Sequence, residues 1–585
     1  MRIFHRSENM KKNPLIFLSF PLLIAALSLS CNRTLETEPL ERVTDEYLWD
    51  SQDSLGYYAR NFLSNIYLML PGGANRIGGL GGGTGDVLAT ASDDAIASQG
   101  GSVADQMTVG GYSPLFNPDD VWIECYEGIR KATIFLNNFP VVPLRSPAEK
   151  RAWLGEARFI RAFLYFELVK RYGGVPLMGD EVRDKNDDLE IPRNSFAECI
   201  QYIVNECDAA VDNVRTDPVD RVNEGRITRG GVLALKAKVL LYAASPLYNG
   251  GNIGGSAEEK RLTGYESYDP ERWKLAADAA RAVIDLNAFE LQANFLDIFL
   301  QEQNDPDGLN NTEVILARLN GRSDNIEKTN APVGYPSGSL GGAGRTSPTQ
   351  ELVDAFPMQN GLPITDPASG YDPSNPYKDR DPRLSYSVFH NGSLWLSRLV
   401  ETFNGGADRP GGTAQQTRTG YYMRKFMGKN ENKNLPYATE LHHFILFRYA
   451  EVLLNYAEAL NEYQGPVPDV YSAIEAIRER AGLVPFQLPA DLQQEEMREL
   501  IRNERRIELA FEEHRFRDIR RWKIAEDVYG PQHGMRLTMN RATGVVTYQR
   551  EEVRNAEFDA PKMYFYPIPY NEMVKNDNMV QNPGW

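Results

Sequence analysis

The chain has 585 residues, 42% of them apolar, and a formal charge of −17. That length allows two or more domains or one large repeat architecture, and the apolar share can fill a sizeable core. A chain this acidic repels polyanions, which excludes nucleic acid as its general partner.

The stretch "MKKNPLIFLSFPLLIAALSLSC" places Lys11 and Lys12 before an apolar run over residues 15–29. About 15 residues, interrupted by proline, fall short of the ~20 that span a bilayer but match the core of a signal peptide. The run ends at Ser30 and Cys31, and a small residue before a cysteine resembles a lipoprotein signal. Residues 1–30, starting from Met1 or Met10, are therefore expected to be removed and Cys31 acylated. Ordinary cleavage that leaves a stray thiol is the alternative. Loss of Arg2, Arg6, Lys11, Lys12 and Glu8 takes the charge to about −20. The polar "NRTLETEPLE" suits a tether over 31–43. Lipid is then the anchor, since no later stretch is apolar enough to cross a membrane.

Residues 44–70 and "DDVWIECYEGIRKATIFLNNF" (119–139) read as one helix pair around a glycine-rich loop region at about 71–118. Three further pairs follow: 151–174 with 195–213, 226–249 with 270–286, and 447–463 with 469–481. Their apolar residues recur three and four apart, as Leu154, Ala157, Ile160, Leu164 and Leu168 do, with many alanines and tyrosines. Repeated pairs of this kind look like tetratricopeptide units. Each pair is too small to cover its own apolar face, so neighbours must stack. An irregular helical bundle is the alternative. A second loop region, about 287–440, is rich in Gly, Pro, Asn and Asp and far longer than an ordinary connection. Short strands are predicted there at 313–319 and 384–389. The expected fold class is mainly α: a tetratricopeptide-like helix-pair superhelix with long irregular loop-rich insertions and a few short strands, in one domain over 44–585.

Motifs for catalysis are absent. Residues 78–86 contain neither G-x-G-x-x-G nor Gly-Lys-Ser/Thr and end on Asp86, and "GGAGRTS" has Arg345 where a phosphate loop needs lysine. No H-E-x-x-H or G-x-S-x-G occurs. His442 and His443 are adjacent, and neighbours on a strand or helix point apart, so a shared zinc is not expected. "NDPDG" (304–308) leaves room for weak calcium binding without the EF-hand spacing; otherwise no cofactor is expected. Cys125, Cys199 and Cys207 read as buried thiols. The last two sit eight apart on one helix, ~12 Å along its axis, beyond disulfide reach.

The segment "IRNERRIELAFEEHRFRDIRRW" (501–522) is dense in charge. On a helix, Arg498, Arg502 and Arg506 form a basic column, and Glu504, Glu508 and Glu512 an acidic one. Like charges at this spacing repel, and Glu499 with Arg502, Glu513 with Arg517, and Asp518 with Arg521 relieve only part of that. The columns call for oppositely charged partners on neighbouring elements.

Several stretches together resemble the SusD/RagB family of outer-membrane nutrient-binding lipoproteins: "GEARFIRAFLYFELVKRYGGVPL" (155–177), "ITRGGVLALKAKVLLYAASPLYN" (227–249), "PTQELVDAFPMQNGLPI" (348–364), "KDRDPRL" (378–384), "FRYAEVLLNYAEALNE" (447–462), the charged segment itself, "YPIPYNEM" (566–573) and a terminal "NPGW". The resemblance implies four helix pairs, a surface-facing outer-membrane location, and a SusC-like TonB-dependent outer-membrane transporter as partner. It implies non-catalytic binding of oligosaccharide, with peptide binding or pure transporter docking as alternatives. Ligand contacts would come from the two loop regions. Sugar recognition needs aromatic faces and planar polar groups. On that basis the candidates are Asn75, Arg76, Asp93 and Asp94 in the first region, and Arg322, Asn325, Tyr335, Trp395 and Tyr421 in the second. For each, the competing reading is a solvated loop residue or, for Trp395 and Tyr421, a packed aromatic.

Overall fold

The computed structural model describes residues 45–77, 85–300, 311–337, 340–412, 415–428 and 440–585. Cys31, the tether and residues 304–308 lie outside the described residues. Helix α1 (Tyr57–Tyr67) packs on α2 (Trp122–Asn138), α3 (Pro147–Tyr172) on α4 (Phe196–Val211), α5 (Arg229–Ala244) on α6 (Glu271–Ile284), and α7 (Tyr449–Gln464) on α8 (Pro468–Ala481). Successive pairs touch through α2 with α3, α4 with α5 and α6 with α7, so the four expected pairs stack into one superhelix.

Local signals set the helix ends. Ser146 accepts from the Glu149 amide with Pro147 at the first helical position, Ser195 and Glu198 form a reciprocal capping box, and Pro468 opens α8. Gly173, Gly465 and Gly482 close α3, α7 and α8 with positive φ. Close helix approach needs missing side chains: a Cβ on Gly128 would sit 2.5 Å from Leu164 Cδ1, and one on Gly155 2.7 Å from Val214 Cγ1. All three described cysteines are buried and unpaired; burial raises the Cys199 thiol to about 12. No helix among the described residues is long and apolar enough to cross a membrane.

The second loop region is zipped at its base. Strand β1 (Val314–Arg318) pairs antiparallel with β4 (Phe444–Arg448), and β2 (Arg322–Ser323) with β3 (Glu440–Leu441). The strand predicted at 313–319 is therefore present. That predicted at 384–389 is not: Pro382–Ser387 is helical, capped by Asp381 with proline at its first position, and only Val388–Phe389 is extended. A long hairpin, β5 (Pro531–Met539) with β6 (Val546–Asn555), has no counterpart among the sequence expectations.

The charged segment is not one helix. Helix α9 (Gln494–Glu508) stops, residues 509–514 turn, and α10 (Arg515–Arg521) follows. Phe511 (φ 66°) and Glu513 (φ 65°) carry left-handed backbones in that turn. Both columns find their partners. Glu504 and Glu508 take Arg383 at 2.6 and 2.8 Å, Glu508 also takes Arg448 at 2.7 Å and Arg480, and Glu512 takes Arg448 and Lys425. Arg498 reaches Glu462, and Arg506 reaches Asp93 (2.9 Å) and Asp94 (2.7 Å). Glu499 with Arg502 and Asp518 with Arg521 pair as expected, both at 2.8 Å. Glu513 does not meet Arg517, because the turn sends it to Arg76 at 2.6 Å while Arg517 holds Asp119 at 2.6 Å.

Candidate ligand-binding cleft

The zipped base of the second loop region opens into a cleft of about 250 Å³. One wall is residues 72–74. The other comprises residues 320, 321, 323, 325, 326, 442, 443 and 445, with Phe299, Phe426, Phe444 and Glu512 below. Asn320 ties the walls together: its Nδ2 donates to the carbonyls of Gly72 and His442, both at 2.8 Å. Arg318 supports the same wall by donating to the Leu68 carbonyl at 3.2 Å and to the Leu70 carbonyl.

The floor is apolar. Phe299 and Phe426 meet edge to face at 5.3 Å, and Phe444 lies beside them. The rim is polar and neutral in large part, with Asn320, Ser323, Asn325, His442 and His443. His443 Nδ1 accepts from the Asn320 amide at 3.0 Å; burial, helped by neighbouring His442, holds its pKa below the ordinary value, so it is an uncharged ring at pH 7. His442 Nε2 lies 3.1 Å from buried Glu327, and its Nδ1 has no hydrogen-bond partner among the described residues. The two imidazoles lie between β3 and β4, outside both strands, and both line the cleft. No group of His, Cys, Asp or Glu that could hold a metal occurs among the described residues. Under the floor, burial raises the pKa of Glu512, but Arg448 and Lys425 lower it further, so it stays ionised. Lys425 Nζ lies 4.8 Å from the Phe299 ring centre.

Of the sequence candidates, Asn325 lines the cleft, exposed, and Arg322 flanks it on β2, opposite Leu441. Arg76 stands behind the first wall, paired with Asp119 and Glu513. The others are enclosed and present no surface to a ligand. Asn75 is buried and accepts from Asn330. Asp93 is the counter-ion of Arg506 and Arg515, and Asp94 of Arg506. Tyr335 lies against Trp395, ring centres 5.0 Å apart, with the Arg398 guanidinium 3.6 Å over its face. Trp395 is fully buried and donates to the Gly428 carbonyl, and Tyr421 donates to Gln350 at 2.7 Å. Burying such groups requires partners, and each has one inside the scaffold. Sequence reasoning missed Asn320, His442, His443 and the phenylalanines. The signal available was "LHHFILFR", a polar pair directly ahead of an apolar strand.

The sequence profile of the SusD family matches residues 312–585, and a profile described as "Starch-binding associating with outer membrane" matches residues 89–241. SusD-like protein P38 of Formosa agariphila is 25% identical over 562 residues, 91% of this chain and 96% of that protein. SusD-like protein P2 of the same organism is 38% identical over 148 residues, 24% of this chain and 26% of that protein. The crystal structure of a SusD-like protein from Bacteroides fragilis superimposes with a TM-score of 0.74 at 27% identity, covering 94% of this chain and all of that one. A solved protein described as a laminarin-binding SusD-like protein shares the fold at 20% identity and a TM-score of 0.62, covering 91% of this chain and all of that one. The chain belongs to the SusD/RagB family.

Proposed function

We propose that the cleft binds a segment of oligosaccharide without cleaving it. We further propose that the protein, held in the outer membrane by acylated Cys31 and facing the cell surface, passes that ligand to a SusC-like TonB-dependent transporter. The observation that carries the reading is a floor of three phenylalanines beneath a rim of Asn320, Ser323, Asn325, His442 and His443. A pyranose ring offers one apolar C–H face and a girdle of hydroxyls. The phenyl rings suit the first, and the planar amides and imidazoles suit the second.

The same geometry speaks against hydrolysis. Glycosidases of the usual kind need two carboxyl groups about 5–10 Å apart, one to protonate the leaving oxygen. Among the described lining residues Glu512 is the one carboxylate. It is committed to Arg448 and Lys425 as a permanent anion and cannot serve as an acid near neutral pH. The reading invokes no cofactor. Starch and laminarin, which appear in the descriptions of a matching family profile and a structural neighbour, are the first probes. Retarded migration of the protein in gels containing either glycan, with no new reducing ends in solution, is the expected result. Reducing ends that accumulate in proportion to protein concentration would overturn it.

A further inference from the structure

Three non-glycine residues with left-handed backbones lie in or next to the cleft lining: Phe426 (φ 74°) in the floor, and Phe511 (φ 66°) and Glu513 (φ 65°) on either side of Glu512. That conformation is unfavourable for a residue with a Cβ and persists only where surrounding contacts impose it. Here it breaks the charged segment between α9 and α10 and sends two consecutive carboxylates to different walls. Glu512 accepts from Arg448 (Nε 2.7 Å, Nη2 2.8 Å) and from Lys425 (2.7 Å). Glu513 accepts from Arg76 (Nε 2.6 Å, Nη2 3.0 Å). Arg448 ends β4, Lys425 precedes Phe426 of the floor, and Arg76 follows the wall at 72–74. An uninterrupted helix would set residues 512 and 513 only about 100° apart on one cylinder.

We propose that the turn at 509–514 is a clamp that fixes the separation of the cleft walls, with Glu512 and Glu513 as positioning residues for ligand affinity; this rests on the reading of the cleft as the ligand site. Both carboxylates act through the cations they hold. The far side of the clamp is rigid, because Arg76 also pairs with Asp119, which holds Arg171 of α3 and Arg517 of α10. The charged segment therefore joins the helical scaffold to the ligand site.

The test uses the full-length chain in detergent, with Glu512→Gln, Glu513→Gln and a control, Glu206→Gln. Glu206 holds Arg158 and Arg161 between α3 and α4 and lines no part of the cleft. Amide hydrogen exchange without ligand should quicken at 424–427 and 444–448 in Glu512→Gln and at 72–77 in Glu513→Gln. Retention by starch or laminarin in affinity gels should weaken roughly tenfold, the scale of one lost charge-assisted hydrogen bond. The control should lower the melting temperature while leaving exchange in those segments and retention unchanged. Unchanged local exchange in both clamp variants overturns the proposal, as does an equal loss of retention in the control. Asn320→Ala and Phe444→Ala separate the two ideas: if they abolish retention while the clamp variants do not, the clamp fails and the cleft stands. If they too leave retention intact, the cleft reading fails and takes the clamp with it. Should the unaltered chain retain neither glycan, the cleft reading fails for both probes and the clamp's role in affinity falls with it.

Discussion

Replacing Arg383 with methionine should cost clearly more stability than the same change at Arg505, although both arginines are fully buried. Arg383 donates to Asp381 (2.7 and 3.1 Å), Glu504 (2.6 Å) and Glu508 (2.8 Å). Without it, Glu508 keeps Arg448 and Arg480, but Glu504 is left with Arg478 at 3.8 Å and Asp381 loses its guanidinium. Arg505 holds Asp518 at 2.8 Å, Asn455 at 2.7 Å and His514 at 3.2 Å. Its loss leaves one carboxylate, Asp518, which still has Arg521 at 2.8 Å. Breaking a buried ion pair costs roughly 3–5 kcal/mol, mostly for the charge left behind. Arg383→Met belongs at about the top of that range, with two weakly supported carboxylates, and Arg505→Met at about the bottom. Urea unfolding at pH 7, followed by tryptophan fluorescence and far-ultraviolet circular dichroism, gives both values on one scale. Equal losses, or a larger loss for Arg505→Met, would refute the reasoning that residual partners set the cost. Arg505→Met should also keep its ligand, since it touches no lining residue.

Gly128→Ala should destabilise by about 1–3 kcal/mol through overpacking, because the new methyl meets Leu164 and Met69 on both sides; chemical denaturation would show it. Burial raises the pKa of Glu167, but Lys170 and Arg171 lower it further, to about 2 from an ordinary 4.5. A folded value below the unfolded one gives stability that is complete above 4.5 and lost as pH falls from 4.5 toward 2. At Glu504 burial outweighs the pull of Arg383 and Arg478, and the folded pKa is raised. Glu167→Gln should therefore flatten the acid limb of a melting-temperature profile, and an unchanged limb would contradict the assignment. Cys31→Ala should abolish incorporation of labelled palmitate and release the protein from membranes; labelling that persists would place the anchor elsewhere.

The helix pairs were readable because their signals are local: Ser195 with Glu198, Pro147, Pro468 and the three-four spacing in α3 each act within a few residues. The pairing of the charge columns was also readable, since Glu504, Glu508 and Glu512 cannot stand uncompensated on one face. Their partners were not, because Arg383, Arg448 and Arg480 come from distant parts of the chain. The residues around Glu512–His514 read as a change of packing face, but the full break at 509–514 was not legible, because nothing in "LAFEEH" resembles a helix stop and the cations that hold Glu512 and Glu513 come from distant parts of the chain. The same long-range pairing explains Asp93 and Asp94. They read as polar loop residues and are scaffold counter-ions, one residue type serving either role according to what lies across the fold. The aromatics Tyr335, Trp395 and Tyr421 are buried for a related reason. Trp395 and Tyr335 satisfy each other and Arg398 inside the insertion, whereas the floor of the cleft is made by plainer phenylalanines, Phe299, Phe426 and Phe444, that come from well-separated parts of the chain.

The most direct test is a titration of the full-length chain in detergent with soluble starch or laminarin oligosaccharide, beside Asn320→Ala and Phe444→Ala. The account expects saturable binding, at least about tenfold weaker in each variant, with no new reducing ends. Undiminished affinity in both variants, or reducing ends that disappear with Glu512→Gln, would contradict it.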